Sequence, residues 1–273
     1  MSGPVLEGKS LSFAYRNGGD VFRDLSFSVN EGELVFVLGA NGAGKTTLFN
    51  LIAGELKPQS GEIFFDGKNK NEYTTKELYR KYAYVPQHAN GPRSYTVLES
   101  IFLNLTGSLG LFKSPGKREI ERAEEVLSEW KLEHLADKAV GELSGGESQL
   151  VRIAGAVAKE PKLLILDEPE SGLDYRNQMM VLDRIRSMKE KSIGCLMNTH
   201  YPEHAFRYAD RVLLFLRDHG EKKTVFGNVS EMITENNIKR TFGVQAVIRS
   251  EMIENTAVKS VVPIKIIEEK ERL

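Results

Sequence analysis

From Leu34 to Leu38 the chain runs Leu-Val-Phe-Val-Leu with no polar interruption, and a glycine-rich stretch follows at once. A strand exposed on one face alternates, so a run apolar on both faces predicts a strand buried in the middle of a sheet. Upstream, residues 9–38 alternate short apolar runs with turns at Asn17-Gly18-Gly19 and Asn30-Glu31-Gly32, the pattern of antiparallel strands. Downstream, residues 46–56 predict a buried helix, and Gly61 opens a strand over 62–65 that Asp66-Gly67 closes as a turn. Strand, glycine loop, helix and strand in this order open an α/β domain.

Between about residues 90 and 143 the period changes to helical. Thr96-Val97-Leu98-Glu99 has the form of a capping box, and the apolar positions continue through Ile101, Phe102 and Leu105. Ile120, Ala123, Leu127 and Trp130 recur at helical spacing between charged residues and predict one buried stripe on a second helix. The α/β pattern then resumes, with helices over 149–158 and 177–189 and strands over 163–166, 193–197 and 212–215. A short helix near 229–234 and apolar alternation over 261–267 complete the reading, which contains no internal repeat.

Composition narrows the function classes. Thirty-seven basic against thirty-eight acidic residues leave a formal charge of -1, which excludes a global field that would recruit nucleic acid. The single cysteine, Cys195, excludes an internal disulfide framework and a multi-thiolate metal site, and it is read as core. The opening MSGPVLEGKS lacks the basic start and apolar stretch of a secretory signal, and no run approaches the roughly 18 apolar residues of a membrane span. The expectation is a cytoplasmic chain whose membrane role, if it has one, passes through a partner.

Three segments carry chemistry. Gly39-Ala40-Asn41-Gly42-Ala43-Gly44-Lys45-Thr46 satisfies the GxxxxGK(S/T) pattern between a predicted strand and a predicted helix. Glycines let backbone amides converge on phosphate oxygens at a helix N-terminus; Lys45 would reach the outer phosphates and the Thr46 hydroxyl would coordinate Mg²⁺. The plain alternative is a glycine-rich turn that carries a lysine, and the strand–loop–helix context weighs against it. Residues 163–168, Leu-Leu-Ile-Leu-Asp-Glu, form an apolar strand ending in two carboxylates. Asp167 suits Mg²⁺ beside a nucleotide and Glu168 suits orienting or deprotonating water, provided that the chain turns there, a turn assigned to Pro169. Such a pair elsewhere reads as solvated acids; beside a phosphate loop the reading reverses. Leu143-Ser144-Gly145-Gly146-Glu147 offers a second anion cradle or a simply capped helix start.

Taken with Gln87 in Tyr84-Val85-Pro86-Gln87, Ser171-Gly172-Leu173-Asp174 and His200, these motifs in this order resemble the ABC ATPases over about residues 5–230. The resemblance implies an α/β, P-loop NTPase ABC ATPase fold, with an antiparallel β subdomain, a mainly parallel core sheet and an inserted α-helical subdomain. It implies an ABC ATPase domain over 1–232, with a nucleotide-binding core at 1–89 and 145–232, a helical insertion at 90–144 and a C-terminal extension at 233–273. It implies ATP and Mg²⁺: Tyr15 stacked on adenine; Gly39, Asn41, Gly42, Ala43, Gly44, Lys45, Thr46 and Thr47 around the phosphates; Thr46, Gln87 and Asp167 at the metal; Glu168, His200 and Gln87 in catalysis. It also implies head-to-tail pairing with a second copy or a related ATPase subunit, Asp174 at the interface and Ser144, Gly145 and Gly146 clasping the partner's ATP. Glu170 departs from a common threonine, and Leu150 and Gly155 stand where arginines are frequent.

The LSGGE form, residues 199–210 and residues 235–244 are similar to importers of iron chelates, haem and cobalamin. Membrane permease subunits are then partners, a substrate-binding protein is an indirect one, and no nucleic acid is expected. Permease contact is expected near Gln87 and residues 90–115, where Tyr95, Val97, Leu98 and Phe102 are apolar candidates or core. Two alternatives stay open: a soluble ABC ATPase that drives cofactor or iron–sulfur assembly, and a nucleotide-binding regulator, against which Glu168 and His200 count.

Overall fold

In the computed structural model, the described residues are 3–16, 19–87, 93–106, 117–217, 224–254 and 256–267. The chain begins with β1 (Leu6–Ala14) and β2 (Asp20–Val29), paired antiparallel with Leu6 opposite Val29 and Leu11 opposite Leu25. β3 (Leu34–Leu38) is buried at every position and leads through the glycine loop into α1 (Lys45–Ala53). β4 (Ser60–Phe65) and the short β5 (Lys68–Asn69) follow, then α2 (Thr75–Lys81) and β6 (Tyr82–Val85). Two helices, α3 (Val97–Thr106) and α4 (Lys117–Trp130), precede α5 (Gly145–Val157) and β7 (Leu163–Asp167). α6 (Tyr175–Ser187), β8 (Gly194–Thr199), α7 (Pro202–Tyr208), β9 (Arg211–Phe215) and β10 (Thr224–Asn228) continue the alternation. α8 (Val229–Met232), α9 (Glu235–Phe242) and the hairpin β11 (Val244–Ile253) and β12 (Thr256–Ile266) come last.

The strands form an antiparallel sheet in the order β2-β1-β4-β5 and a six-stranded sheet in the order β10-β9-β3-β8-β7-β6. The second is parallel from β9 to β6, with β10 alone antiparallel at its edge. β3 therefore lies inside the sheet, as its unbroken apolar run predicts. Pleating sends alternate residues to opposite faces. Val35 and Val37 join Ile165, Leu196 and Phe215 in the core shared with the antiparallel sheet and α1. Phe36 and Leu38 join Leu166, Met197 and the helical side chains Leu127, Trp130, Ile153 and Leu182. Cys195 belongs to this second core, and burial pushes its thiol up to about 12.

Register positions the chemistry. Leu38 on β3 faces Thr199 on β8, and Asp167 on β7 faces Asn198, so the glycine loop, the acidic pair and His200 all leave the sheet at its carboxyl edge. Crevices at that edge are where ligands bind in open α/β sheets.

Several local expectations need correction. α1 stops at Ala53, short of 56, because Gly54 takes a left-handed φ of 92° and its N–H bonds back to Asn50 O. Ile120 is 40% exposed in the first turn of α4, and the buried stripe runs instead through Ala123, Val126, Leu127 and Trp130. Thr96 does cap α3, accepting from Glu99 N at 3.1 Å while Glu99 Oε2 accepts from Thr96 N at 2.8 Å. Of the partner candidates there, Val97 is fully buried, Leu98 and Phe102 pack against the core, and Tyr95 is exposed. The predicted turn residues Asn17 and Gly18, and 90–92 and 107–115 of the proposed contact segment, lie outside the described residues. Among the described residues, no helix is long and apolar enough to cross a membrane.

Lys70 gives the fold a measurable pH dependence. Its Nζ donates to Leu51 O at 2.6 Å beside the end of α1, and burial lowers its amine from the ordinary 10.5 to about 8. Between those values the unfolded chain holds a proton that the folded chain has released, so this contribution to stability rises with pH across the window. Thermal melts of the chain and of Lys70→Met should show the Tm gap moving in favour of Lys70 between pH 7.5 and 10. A gap independent of pH counts against this assignment.

Candidate nucleotide site

The loop after β3 is shaped by glycine at two positions in particular. Gly42 and Gly44 have φ of 74° and 108°, in the region that L side chains rarely adopt, and a Cβ on Gly44 would overlap Val21 Cγ1. The loop opens on a cavity of about 780 Å³, lined by Tyr15, Asn41, Gly42, Ala43, Gly44, Lys45, Thr46, Thr47, Gln87, Glu168 and His200. Lys45 is 5% exposed, and its Nζ donates to Gly39 O at 2.6 Å and Ala40 O at 3.1 Å and lies 3.5 Å from His200 Nδ1. Burial lowers its amine to about 8, against the pull of Glu168 and then Asp167 toward the charged form. A buried ammonium that rests on loop carbonyls at the base of a glycine cradle suits an incoming anion. Tyr15 is half exposed at the cavity, its hydroxyl 3.0 Å from Thr47 Oγ1, and its ring meets Phe13 edge-on.

The acidic pair divides. Asp167 is buried, with Oδ1 accepting from Asn198 Nδ2 at 2.6 Å and Oδ2 from the Tyr84 hydroxyl at 3.4 Å. Burial and then the nearby Asp167 raise the Tyr84 phenol well above its ordinary range, so Tyr84 stays a donor. Glu168 faces the cavity: Oε2 accepts from Gln87 Nε2 at 2.7 Å, and Oε1 meets His200 Nε2. The turn that separates the two carboxylates lies at Glu168 itself, whose φ is 48°, one residue before the expected turn at Pro169. A non-glycine residue in this region is locally strained, and its N–H is held by Asn198 O at 3.2 Å.

The second cradle sits on another face. Ser144 caps α5: Oγ accepts from Glu147 N at 3.3 Å and donates to Glu147 Oε2 at 2.7 Å, which also accepts from Ser144 N at 2.9 Å. These hydrogen bonds hold the Glu147 carboxyl below its usual range. Gly146 packs against Asn177, where a Cβ would overlap the side-chain amide, and Asp174 Oδ1 caps α6 by accepting from Asn177 N at 2.8 Å. Asn177 thus touches both the cradle and the Asp174 turn. Ser144 and Gly145 are exposed, and none of Ser144, Gly145, Gly146 and Asp174 lines the cavity.

Of the remaining predicted residues, Gly39 lies below the cavity and presents its carbonyl to Lys45, and Asp167 lies behind Glu168. Val21 lines the cavity without having been singled out in the sequence, and Ser171, quoted there only as the first residue of the 171–174 motif, lines it too. Arg152 was also missed: from α5 its Nη1 donates to Pro86 O at 3.2 Å and Gln87 O at 3.4 Å, and Nη2 meets Gln149 Oε1. Its position in the helix that LSGGE opens, eight residues after Ser144, is the only sequence signal it carries.

Residues 22–171 match the ABC transporter family. The chain is 31% identical over 239 residues to the molybdate import ATP-binding protein MolC of Haemophilus influenzae, covering 87% of this chain and 88% of MolC. It is 35% identical over 212 residues to an ATP-binding protein of Helicobacter pylori named for iron chelatin transport, covering 77% of this chain and 83% of that one. Its fold is similar to a solved chain of a metal-chelate type ABC transporter in an inward-facing conformation. The TM-score is 0.84 with 29% identity, over 96% of this chain and 98% of the other. The chain therefore belongs to the ABC transporter family of ATP-binding proteins and is an ATPase.

Proposed function

We propose that the chain is the ATP-hydrolysing motor of an ABC importer, working as a head-to-tail pair on the cytoplasmic face of the membrane beneath permease subunits. The observation that carries this reading is Glu168, held between Gln87 and His200 directly beside the phosphate loop. Lys45 exchanges its loop carbonyls for phosphate oxygens, and the Gly39–Thr47 segment supplies amides and hydroxyls around them. The half-exposed Tyr15 offers its ring to adenine. Glu168 orients water and takes its proton, while His200 fixes the carboxylate and reaches the outer phosphate. The site fits Mg²⁺, with Asp167 one step behind the Thr46 hydroxyl and the Gln87 amide at the cavity. Those three would hold it, and the bound ion would neutralise charge across the terminal phosphates.

Ser144, Gly145 and Gly146 form a cradle that does not line its own chain's cavity, which supports completion of each site by a partner chain. On this reading residues 1–232 are the motor, with the helical insertion at 90–144, and 233–273 are an extension. A groove of about 640 Å³ runs between Tyr79, Tyr82 and Lys70 on one side and Asn104 of α3 and Ala156 of α5 on the other. It suits a permease segment, and Arg152 ties the α5 side to Gln87. Iron-chelate, haem or cobalamin-type cargo is favoured by the metal-chelate transporter likeness and the Helicobacter relative; the molybdate relative marks oxyanions as the competing cargo.

The test is recovery of the tagged chain from detergent-solubilised membranes of its own organism. A stoichiometric polytopic permease is the expected companion. A stable complex with soluble assembly factors and no permease would overturn the importer reading and favour cofactor assembly.

A further inference from the structure

Glu170 is where this chain departs from the common threonine, and the structure gives it surroundings that call for an explanation. Its side chain is 1% exposed, and with Asp167 it makes up the buried carboxylates among the described residues. Oε1 accepts from the Thr199 hydroxyl and lies 3.7 Å from His204 Nδ1, while Oε2 has no hydrogen-bond partner among the described residues. Thr199 is itself fully buried, and its Oγ1 accepts from Tyr201 N at 3.2 Å. Carboxylate, hydroxyl and amide thus form a chain across residues 199–201, bracketing His200.

The other end of this chain is anchored. Glu170 O accepts from Leu173 N at 3.3 Å and from Gln178 Nε2 at 3.5 Å, and Ser171 N closes onto Glu168 O at 3.1 Å. Burying a carboxylate with one oxygen unpartnered costs free energy that an apolar side chain of similar size avoids, so packing alone does not account for it. What the carboxylate does supply is a fixed acceptor joining the segment after Glu168 to the turn that carries His200. His204 on α7 packs its ring on Tyr201, 4.8 Å between centroids, and closes the other side of that turn.

We propose that Glu170 is a positioning residue: through Thr199 it sets the 199–201 turn so that His200 Nε2 meets Glu168 Oε1. This rests on the reading of His200 as a contact of the reacting nucleotide. A misplacement of about 1 Å costs on the order of 10²-fold in rate, so Glu170→Leu should lower kcat by about 10- to 100-fold with KM for ATP nearly unchanged. Glu170→Gln keeps an acceptor oxygen for Thr199 and restores most of that loss.

The decisive readout is the His200→Ala background, measured on the full chain as it pairs in solution. A residue that acts through His200 adds no further loss there, whereas one that acts on the fold in general does. If Glu170→Leu does not fold, Thr199→Val against Thr199→Ser puts the same question from the hydroxyl side, with loss expected in the first and retention in the second. Wild-type kcat in Glu170→Leu, failure of glutamine to do better than leucine, or a full additional loss on top of His200→Ala each overturns the inference. Unimpaired turnover in His200→Ala alone overturns the reading of His200 instead, so the two failures are distinguishable.

Discussion

Glu168→Gln is expected to lower ATP turnover by about 10²- to 10⁴-fold, the range that general-base catalysis contributes, while leaving nucleotide affinity close to unchanged. The substitution is nearly isosteric. Glutamine keeps one oxygen to accept from Gln87 or to meet His200, but it cannot take a proton from water. Affinity is set elsewhere, by the glycine amides and by Lys45, whose buried ammonium lies on carbonyls that phosphate can replace. The backbone φ of 48° at Glu168 is as accessible to glutamine as to glutamate, so the fold has no reason to change. Phosphate release at saturating ATP and equilibrium nucleotide binding, measured on the same preparation, check both halves. Turnover within about threefold of the unmodified chain, well short of a general-base effect, would remove Glu168 as the proton acceptor.

Ser144→Asp is the second substitution with a large expected effect, and it isolates the second cradle. Aspartate accepts from Glu147 N as serine does, so α5 keeps that hydrogen bond, although the donation from the Ser144 hydroxyl to Glu147 Oε2 is lost and Glu147 turns outward to solvent. The introduced carboxylate stands at an exposed helix start that, in the proposed head-to-tail pair, would face the partner's outer phosphates. Two like charges about 4 Å apart near a protein surface repel by about 4 kcal/mol before screening, enough to lower turnover by on the order of 10²-fold or more. ATP binding by the isolated chain should not change, because Ser144 does not line its own cavity. Loss of binding together with turnover would contradict the separation of the two half-sites.

What was legible in the sequence followed from patterns with one physical reading. The apolar run of β3 and the glycine spacing after it placed the phosphate loop at the carboxyl edge of a central strand, where the structure has it. Gln87, Glu168 and His200, which are far apart in the chain, do meet. Single-residue geometry was less legible. The turn assigned to Pro169 lies at Glu168, because a left-handed φ in a non-glycine residue has no sequence signature. Arg152 reads in sequence as one more helical cation, and only the fold shows that it grips the Gln87 backbone. Ile120 fits the helical stripe by spacing, yet it lies in the first turn of α4 and is 40% exposed. Short edge elements such as β5, two residues long, carry too few residues to show a period.

The central claim is that the catalytic unit is two chains, each lending Ser144, Gly145 and Gly146 to the ATP held by the other. The direct measurement is ATP turnover per chain as a function of chain concentration, with the association state followed in the same solutions by sedimentation. Turnover per chain should be low where the chain is monomeric and should rise to a plateau along the same curve as the dimer fraction, with ATP binding detectable throughout. Efficient turnover that stays constant across concentrations where the chain is strictly monomeric would contradict it.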